Sequence, residues 1–179
     1  IVSRDWSSDV CSSDLGNTLM EIVNVRIDER LIHGQVAAVW TNTLNATRIM
    51  VIDDMAAKDE IQKIALKMAC PSTVKLSILP AEKAADRLKS EAYPTDRIFV
   101  VLKGPKTIKQ VADAGYMFPV VNVGNMSNKH GSTQVKRSVS VTPEDVAAFR
   151  ELTDRGVKFT AQMVPTEEKI DFMPLIKDL

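Results

Sequence analysis

The chain has two histidines, and one of them sits in DERLIHGQ, residues 28–35, three residues after an arginine and directly before a glycine. The apolar run EIVNVRI precedes this stretch and has the character of a strand, so His33 falls in the loop leaving it, with Gly34 and Gln35 opening the next helix. A histidine at a helix N-terminus faces free backbone N–H groups and the positive end of the dipole, which disfavours imidazolium and favours an anion carried on the ring. That environment suits a phosphorylated imidazole. Arg30 can offer a two-pronged guanidinium to phosphate oxygens, Asp28 can accept from a ring N–H or orient the arginine, and Gly34 lets the backbone approach closely. A plainer reading of the same residues stays open at this point: His33 caps a helix, and Arg30 pairs with a surface carboxylate. An arginine three residues before a histidine is a weak pattern by itself.

Other candidates carry less. His130 lies in the loop between Gly124 and Gly131 and could approach the same edge, although loop histidines are ordinarily solvated. Lys129 and Lys136 could aid docking of a partner. Asp53 and Asp54 could bind Mg²⁺, but paired acids after a strand more often cap the next helix or hold a neighbouring backbone. Cys70 before Pro71 is expected to be a small buried residue, and Trp40 belongs to the core or to a partner contact. No Gly-rich nucleotide motif is present, and no metal site is expected.

Positioning these residues requires a scaffold, and apolar runs of strand character alternate with helical spacing along the chain. Strands are expected over residues 21–27, 48–53, 74–79, 97–102, 118–123, 135–141 and 157–164. Helices are expected over 36–44, 59–69, 82–90 and 105–114, with a further one starting at Thr142 as N-cap. In the second helix Ile61, Ile64, Ala65 and Met68 fall at helical spacing, and Pro71 lies just past its end. Strands joined by helices imply parallel crossovers, and near-continuous apolar strands such as IFVVL and PVVNV suit a sheet covered on both faces. The expected fold is therefore α/β: an open, doubly wound, mainly parallel sheet with helices on both faces, in a single domain. Ligands of such sheets bind beyond the carboxyl ends of the strands. His33 lies there, with Asp53 and Asp54, Lys103, and Asn122 and Gly124 after the fifth strand.

Composition bounds the function. With 179 residues, 45% hydrophobic and 26% charged, the chain suits one core. Lys+Arg and Asp+Glu both count 23, so nothing in the balance points to a nucleic-acid partner. No apolar stretch approaches the roughly 20 residues that cross a bilayer. Cys11 and Cys70 show no paired spacing, which favours a reducing, cytoplasmic location. Residues 1–19, with a repeated Ser-Ser-Asp, resemble neither a signal peptide nor a packed element; they are expected to be non-native or artefactual, and residues 20–179 to form the functional domain.

The stretch VNVRIDERLIHGQVAAVW resembles the active-site signature of the sugar-specific IIB component of the mannose/fructose/sorbose family of bacterial phosphotransferase systems. VIDDMAAKDEIQKIALKMACP, LKGPKTIKQVADAG, VNVGNMSNKHGSTQVKRSVSVTPEDVAAFRELTDRGVKF and AQMVPTEEK resemble the same family in the same order. The resemblance implies a cytoplasmic phosphocarrier, peripheral to the membrane, that accepts a phosphoryl group from the phosphohistidine of a IIA component. It delivers that group to a sugar entering through IIC and IID membrane components. The implied enzyme class is a protein-phosphohistidine–sugar phosphotransferase, with no cofactor. On this resemblance His33, Arg30 and Asp28 are the catalytic residues, and Gly34, Gln35, Asn122 and Gly124 bind phosphate. The chain departs from the family in Glu29, where Asp is frequent, and Asn125, where Gly is frequent. The alternative from a different class is a non-catalytic small-molecule or regulatory binding module on the same fold.

Overall fold

The computed structural model describes residues 19–179. The expectations for residues 1–19 and for Cys11 thus lie, except at Leu19, outside the described residues. In chain order the elements are β1 (Glu21–Asp28), α1 (Gly34–Leu44), β2 (Arg48–Ile52), α2 (Glu60–Ala69), β3 (Lys75–Leu79), α3 (Ala81–Lys89), β4 (Arg97–Leu102), α4 (Pro105–Asp113), β5 (Val120–Asn125), β6 (Thr133–Lys136), β7 (Val139–Val141), α5 (Pro143–Asp154), β8 (Lys158–Ala161), β9 (Ile170–Asp171) and a final 3-10 turn (Met173–Ile176).

One sheet runs β3-β2-β4-β1-β5-β8-β9, with β9 the antiparallel member. The chain moves outward from β1 through β2 to β3, then reverses and returns through β4 to β5 and β8. Because crossovers between parallel strands are right-handed, that reversal places helices on opposite faces. On one face α3, α4 and α5 pack Ala84, Leu88, Ile108, Val111, Phe149 and Leu152 against inward residues such as Val25, Ile27 and Val100. On the other, Trp40 of α1 and Leu66 of α2 cover Ile49, Val51, Phe99 and Val101. The expected doubly wound, two-faced α/β architecture is the observed one.

Local sequence accounts for the element ends. Asp59 caps α2 by accepting from the backbone N–H of Ile61 and Gln62. Thr142 and Asp145 cap α5 reciprocally, the Thr142 hydroxyl accepting from the Asp145 N–H and the Asp145 carboxylate from the Thr142 N–H.

Two expectations need correction here. The single strand over 135–141 is an antiparallel hairpin, β6 with β7, in its own two-stranded sheet. It is pinned by Met126, whose N–H donates to the Ser138 carbonyl and whose carbonyl accepts from the Ser140 N–H. The strand expected over 157–164 stops at Ala161, because the Gln162 side chain donates to the carbonyls of Pro165 and Glu167 and turns the chain away. The helix expected over 59–69 is observed as α2, with its apolar stripe turned outward: Ile61 is 80%, Ile64 59% and Met68 83% exposed, and the helix is seated through Leu66.

Candidate active site

The site starts at the carboxyl end of β1. Side chains of a strand alternate between faces, so Arg26 and Asp28 share the α1 side while Val25 and Ile27 enter the opposite core. After Asp28 the chain turns sharply. The Leu31 N–H donates to the Asp28 carbonyl at 2.8 Å, and Leu31 itself adopts φ 58°, a left-handed conformation that a non-glycine residue adopts at some cost. Leu31 and Ile32 are buried beneath the turn, which anchors it from below. Gly34 follows at φ 46°, where a residue without Cβ is favoured.

His33 stands between these two left-handed residues, at the N-cap position of α1 with extended backbone (φ −140°, ψ 114°), and its side chain makes no capping hydrogen bond. It is exposed. The plainer reading, in which the imidazole is consumed in capping the helix, is therefore set aside. The ring looks into a cleft of about 470 Å³ lined by Glu29, Arg30, Gly34, Gln62 and Lys103. The backbone N–H groups that open α1, from Gly34 and Gln35 onward, lack intrahelical partners as in any helix, so they remain available to an anion.

Behind the histidine lies a buried ionic arrangement. Asp28, 1% exposed, accepts at Oδ1 from the backbone N–H and Nε of Arg30, both at 3.2 Å. At Oδ2 it accepts from Arg26 Nη2 at 3.1 Å and more distantly from Nε at 3.4 Å. Arg30 does pair with a carboxylate, but with a buried one. Its terminal amino groups have no partner among the described residues, leaving a free fork at the cleft. Arg26 is 1% exposed; burial pulls its pKa below the ordinary value, while the Asp28 charge and hydrogen bond work against that pull. Glu29 points the other way, accepting from the Ser127 N–H at 2.7 Å and pairing with Lys129 at 2.9 Å. Partial burial raises its carboxyl, and the contacts to Lys129 and Ser127 more than offset this, holding it below the usual range.

The structure thus brings His33, Arg30, Asp28, Gly34 and Gln35 together. It does not bring Asn122 and Gly124 to the same surface. β5 runs two residues further than expected, so both lie inside the sheet. Asn122 is 3% exposed, and its Nδ2 donates to the Gln162 carbonyl at 3.0 Å. Gly124 abuts Arg26: a Cβ there would fall 2.1 Å from the guanidinium carbon. Direct phosphate contacts from these two are replaced by a supporting place behind Asp28.

The remaining candidates settle into structural contacts. Asp53 accepts from the Ala56 N–H at 2.7 Å and holds Lys103 at 3.3 Å, and Asp54 caps α3 by accepting from the Ala81 N–H at 2.9 Å. Among the described residues no group of three or more His, Cys, Asp or Glu side chains could hold a metal ion. Lys136 pairs with Glu167, and Lys129 with Glu29. Cys70 is a free, half-buried thiol whose pKa is raised by burial. Trp40 is buried, stacked near Phe99, with its indole N–H donating to the Met163 carbonyl at 3.2 Å. His130 is exposed on the loop that Glu29 fastens. One residue was missed from sequence, Arg26; Lys103, expected at the same edge of the sheet, does line the cleft. The signal for Arg26 was a charge inside an apolar strand, two residues from Asp28 and so on the same face.

Comparison with known proteins bears on this arrangement. The family described as the sorbose subfamily IIB component of the PTS system matches residues 22–179. The sorbose-specific EIIB component of Lacticaseibacillus casei is 36% identical over 160 residues, covering 89% of this chain and 98% of that protein. The mannose-specific EIIAB component of Escherichia coli (strain K12) is 34% identical over 163 residues, covering 91% of this chain and 50% of that protein. The crystal structure of the IIBSor domain of the sorbose permease from Klebsiella pneumoniae superposes with a TM-score of 0.83 at 32% identity, covering 89% of this chain and 98% of that one. With the family model matching residues 22–179 and the fold shared with solved IIB domains, the chain belongs to the sorbose subfamily of phosphotransferase-system IIB components.

Proposed function

We propose that this IIB component acts as a phosphohistidine carrier, with His33 receiving the phosphoryl group and Arg30 gripping it. The observation that supports this most is the exposed His33 imidazole, uncommitted at the N-cap of α1 beside the free Arg30 fork. Phosphoryl transfer has a loose transition state with charge spread over three equatorial oxygens, so the protein's task is to position the group and stabilise that charge. A lone pair of a neutral His33 ring nitrogen attacks phosphorus of a donor phosphohistidine; one N–P bond forms as the other breaks, and the electron pair returns to the donor ring. In the second step a sugar hydroxyl oxygen attacks, the His33 N–P bond breaks, and the hydroxyl proton leaves to solvent or the freed ring. Neither step calls on a metal or a cofactor.

The partners of this reading are a phosphorylated IIA component, IIC/IID membrane components and a sugar. A IIA partner is supported by the mannose-specific EIIAB relative, of which this chain spans half. Among the described residues no helix is long and apolar enough to cross a membrane, which fits a cytoplasmic protein that reaches the membrane through those partners. The reaction class is protein-phosphohistidine–sugar phosphotransfer.

The test is mass spectrometry under neutral conditions after incubation with phosphoenolpyruvate, the general phosphotransferase proteins and a matching IIA. His33→Ala is expected to abolish labelling and His130→Ala to retain it, with an acid-labile, base-stable adduct. Label persisting in His33→Ala overturns the assignment. No label on the unaltered chain favours a non-catalytic binding module.

A further inference from the structure

Arg26 is an unusual residue to find at 1% exposure in the middle of a seven-stranded sheet. A buried guanidinium is costly unless its donors are met, and here they are. Nη1 donates to the Gln162 carbonyl at 3.0 Å, Nη2 reaches Asp28 Oδ2 at 3.1 Å, and the guanidinium carbon lies 5.1 Å from the Trp40 ring centroid. The space it occupies exists because position 124 is glycine, since any Cβ there would fall 2.1 Å from the guanidinium carbon. Four parts of the chain, the end of β1 at Asp28, α1 through Trp40, β5 at Gly124 and the end of β8 at Gln162, thus converge on one side chain that never reaches the cleft.

The consequence appears on the other side of Asp28. A carboxylate shared by two arginines has one oxygen for each: Oδ2 faces Arg26 and Oδ1 holds the Arg30 N–H and Nε. With Arg26 in place, the three groups carry one net positive charge, and the part of it that faces the cleft is the Arg30 fork. Without Arg26 the carboxylate and Arg30 would neutralise each other, and Asp28 would be free to swing and take both prongs of the fork for itself. An incoming phosphoryl group would then meet a neutral, self-satisfied pair.

Resting on the phosphocarrier reading above, we infer that Arg26 is a positioning residue for phosphoryl transfer: seated against Gly124, it fixes and neutralises Asp28 so that Arg30 presents unspent donors and net positive charge beside His33. It touches neither substrate nor reacting atoms. Its hydrogen bonds at the site go to Asp28, and through that carboxylate it acts on Arg30.

The test uses the full chain and phosphoramidate, a small donor with an N–P bond that needs no docking partner, and measures the rate of phosphohistidine formation by mass spectrometry. Labelling of His33 in the unaltered chain is the control; its absence would count against the phosphocarrier reading and not specifically against Arg26. Arg26→Met is expected to slow labelling tenfold or more while the chain stays folded by circular dichroism. The same substitution in an Asp28→Asn background is expected to add less than a twofold change, because the residue it acts through is already gone. The side-chain Nε–H resonance of Arg30 is expected to shift in Arg26→Met, as Asp28 moves from Nε to the prongs of the fork. Labelling at the unaltered rate, or a loss that multiplies fully with Asp28→Asn, overturns the inference. Should Arg26→Met fail to fold, Gly124→Ala carries the test, since it keeps every charge yet displaces the guanidinium. Slowed labelling with a shifted Arg30 resonance supports the inference, and an unchanged rate overturns it.

Discussion

Asp28 and Asp96, buried at opposite ends of the sheet, are each gripped by two cations. At the amino ends of the strands Asp96 takes Arg48 Nε at 2.8 Å, Lys75 Nζ at 3.0 Å and the Thr47 hydroxyl at 3.1 Å. At the carboxyl ends Asp28 takes Arg26 and Arg30. The ingredients are nearly the same, and the outcomes differ. Around Asp96 the arginine is committed elsewhere: Arg48 also donates to Ser77 Oγ at 2.7 Å and lies 4.1 Å from the Tyr93 ring centroid. The cluster ties the starts of β2 and β3 to the residue before β4, and its exposed donors, on the 63% exposed Lys75, face open solvent with no histidine beside them. Around Asp28 one cation is sealed in and the other keeps a fork free beside an exposed histidine. What separates a structural charge cluster from a candidate site is therefore not burial or charge count, but whether donors are left unspent at a cleft.

That contrast can be broken experimentally, and the largest effect is expected at the closed end. Asp96→Ala removes a carboxylate that three donors share, and hydrogen bonds to charged groups contribute about 1.5–3 kcal/mol. Urea denaturation is expected to show a loss of about that size, with phosphoryl acceptance of the remaining folded protein unchanged. A folded Asp96→Ala chain that no longer accepts phosphoryl would erase the distinction. At the open end the pattern reverses. Arg30→Lys replaces the fork by a point charge and is expected to slow transfer about tenfold, some 1.4 kcal/mol in the barrier, with the melting temperature held. An unchanged rate would take Arg30 out of the site.

Acid sharpens the comparison further. Burial raises the Asp96 carboxyl, but Arg48, Lys75 and Thr47 outweigh it and leave the pKa below the ordinary aspartate value. A carboxyl with a depressed folded pKa contributes stability that is present above its unfolded pKa, about 3.9, and is lost as pH falls through the lower folded value. Acid titration of stability is expected to show this loss below about pH 4 in the unaltered chain, and a shallower slope in Asp96→Asn. Equal slopes would mean that the cluster contributes no proton linkage. The smallest effect is expected for Glu29→Gln, which weakens the contacts to Ser127 and Lys129: a global change within about 1 kcal/mol, typical of partly exposed pairs, with faster amide exchange at Ser127 as its local sign. Unchanged exchange there would show that the loop is held by other means.

Much of this was legible in the sequence because the relevant signals are local. The β-branched runs, the Thr142 cap and Pro105 at the start of α4 mark elements through short-range sterics and hydrogen bonding, and His33 with Arg30 is visible from residue type and spacing. The failures share a different cause. The role of Gly124 depends on a neighbouring strand, and nothing within VNVGN reveals that an arginine from β1 fills the space beside it. Arg26 looked like one polar residue in an apolar strand until its register beside β5 was known. On α2 the spacing of Ile61, Ile64 and Met68 correctly implied a helix, but periodicity reports only that a helix has two faces. It does not say which one the sheet receives, and here the seat is Leu66. The turn inside residues 135–141 was hidden because Arg137 and Ser138 carry no glycine or proline to mark it.

The two-residue strand β9 has a bearing on how the chain behaves in a crowded solution. An open sheet exposes unpaired N–H and C=O groups along its last strand, a template on which another chain can add. β9 runs antiparallel to β8, setting Asp171 opposite Thr160 and Ile170 opposite Ala161, and the Phe172 N–H donates to the Phe159 carbonyl at 3.1 Å. Phe172 then plugs into the core against Phe149, 4.7 Å between ring centroids. The segment offers only two residues of edge and is fastened by the buried Phe172, so this border of the sheet presents little on which a further strand could pair.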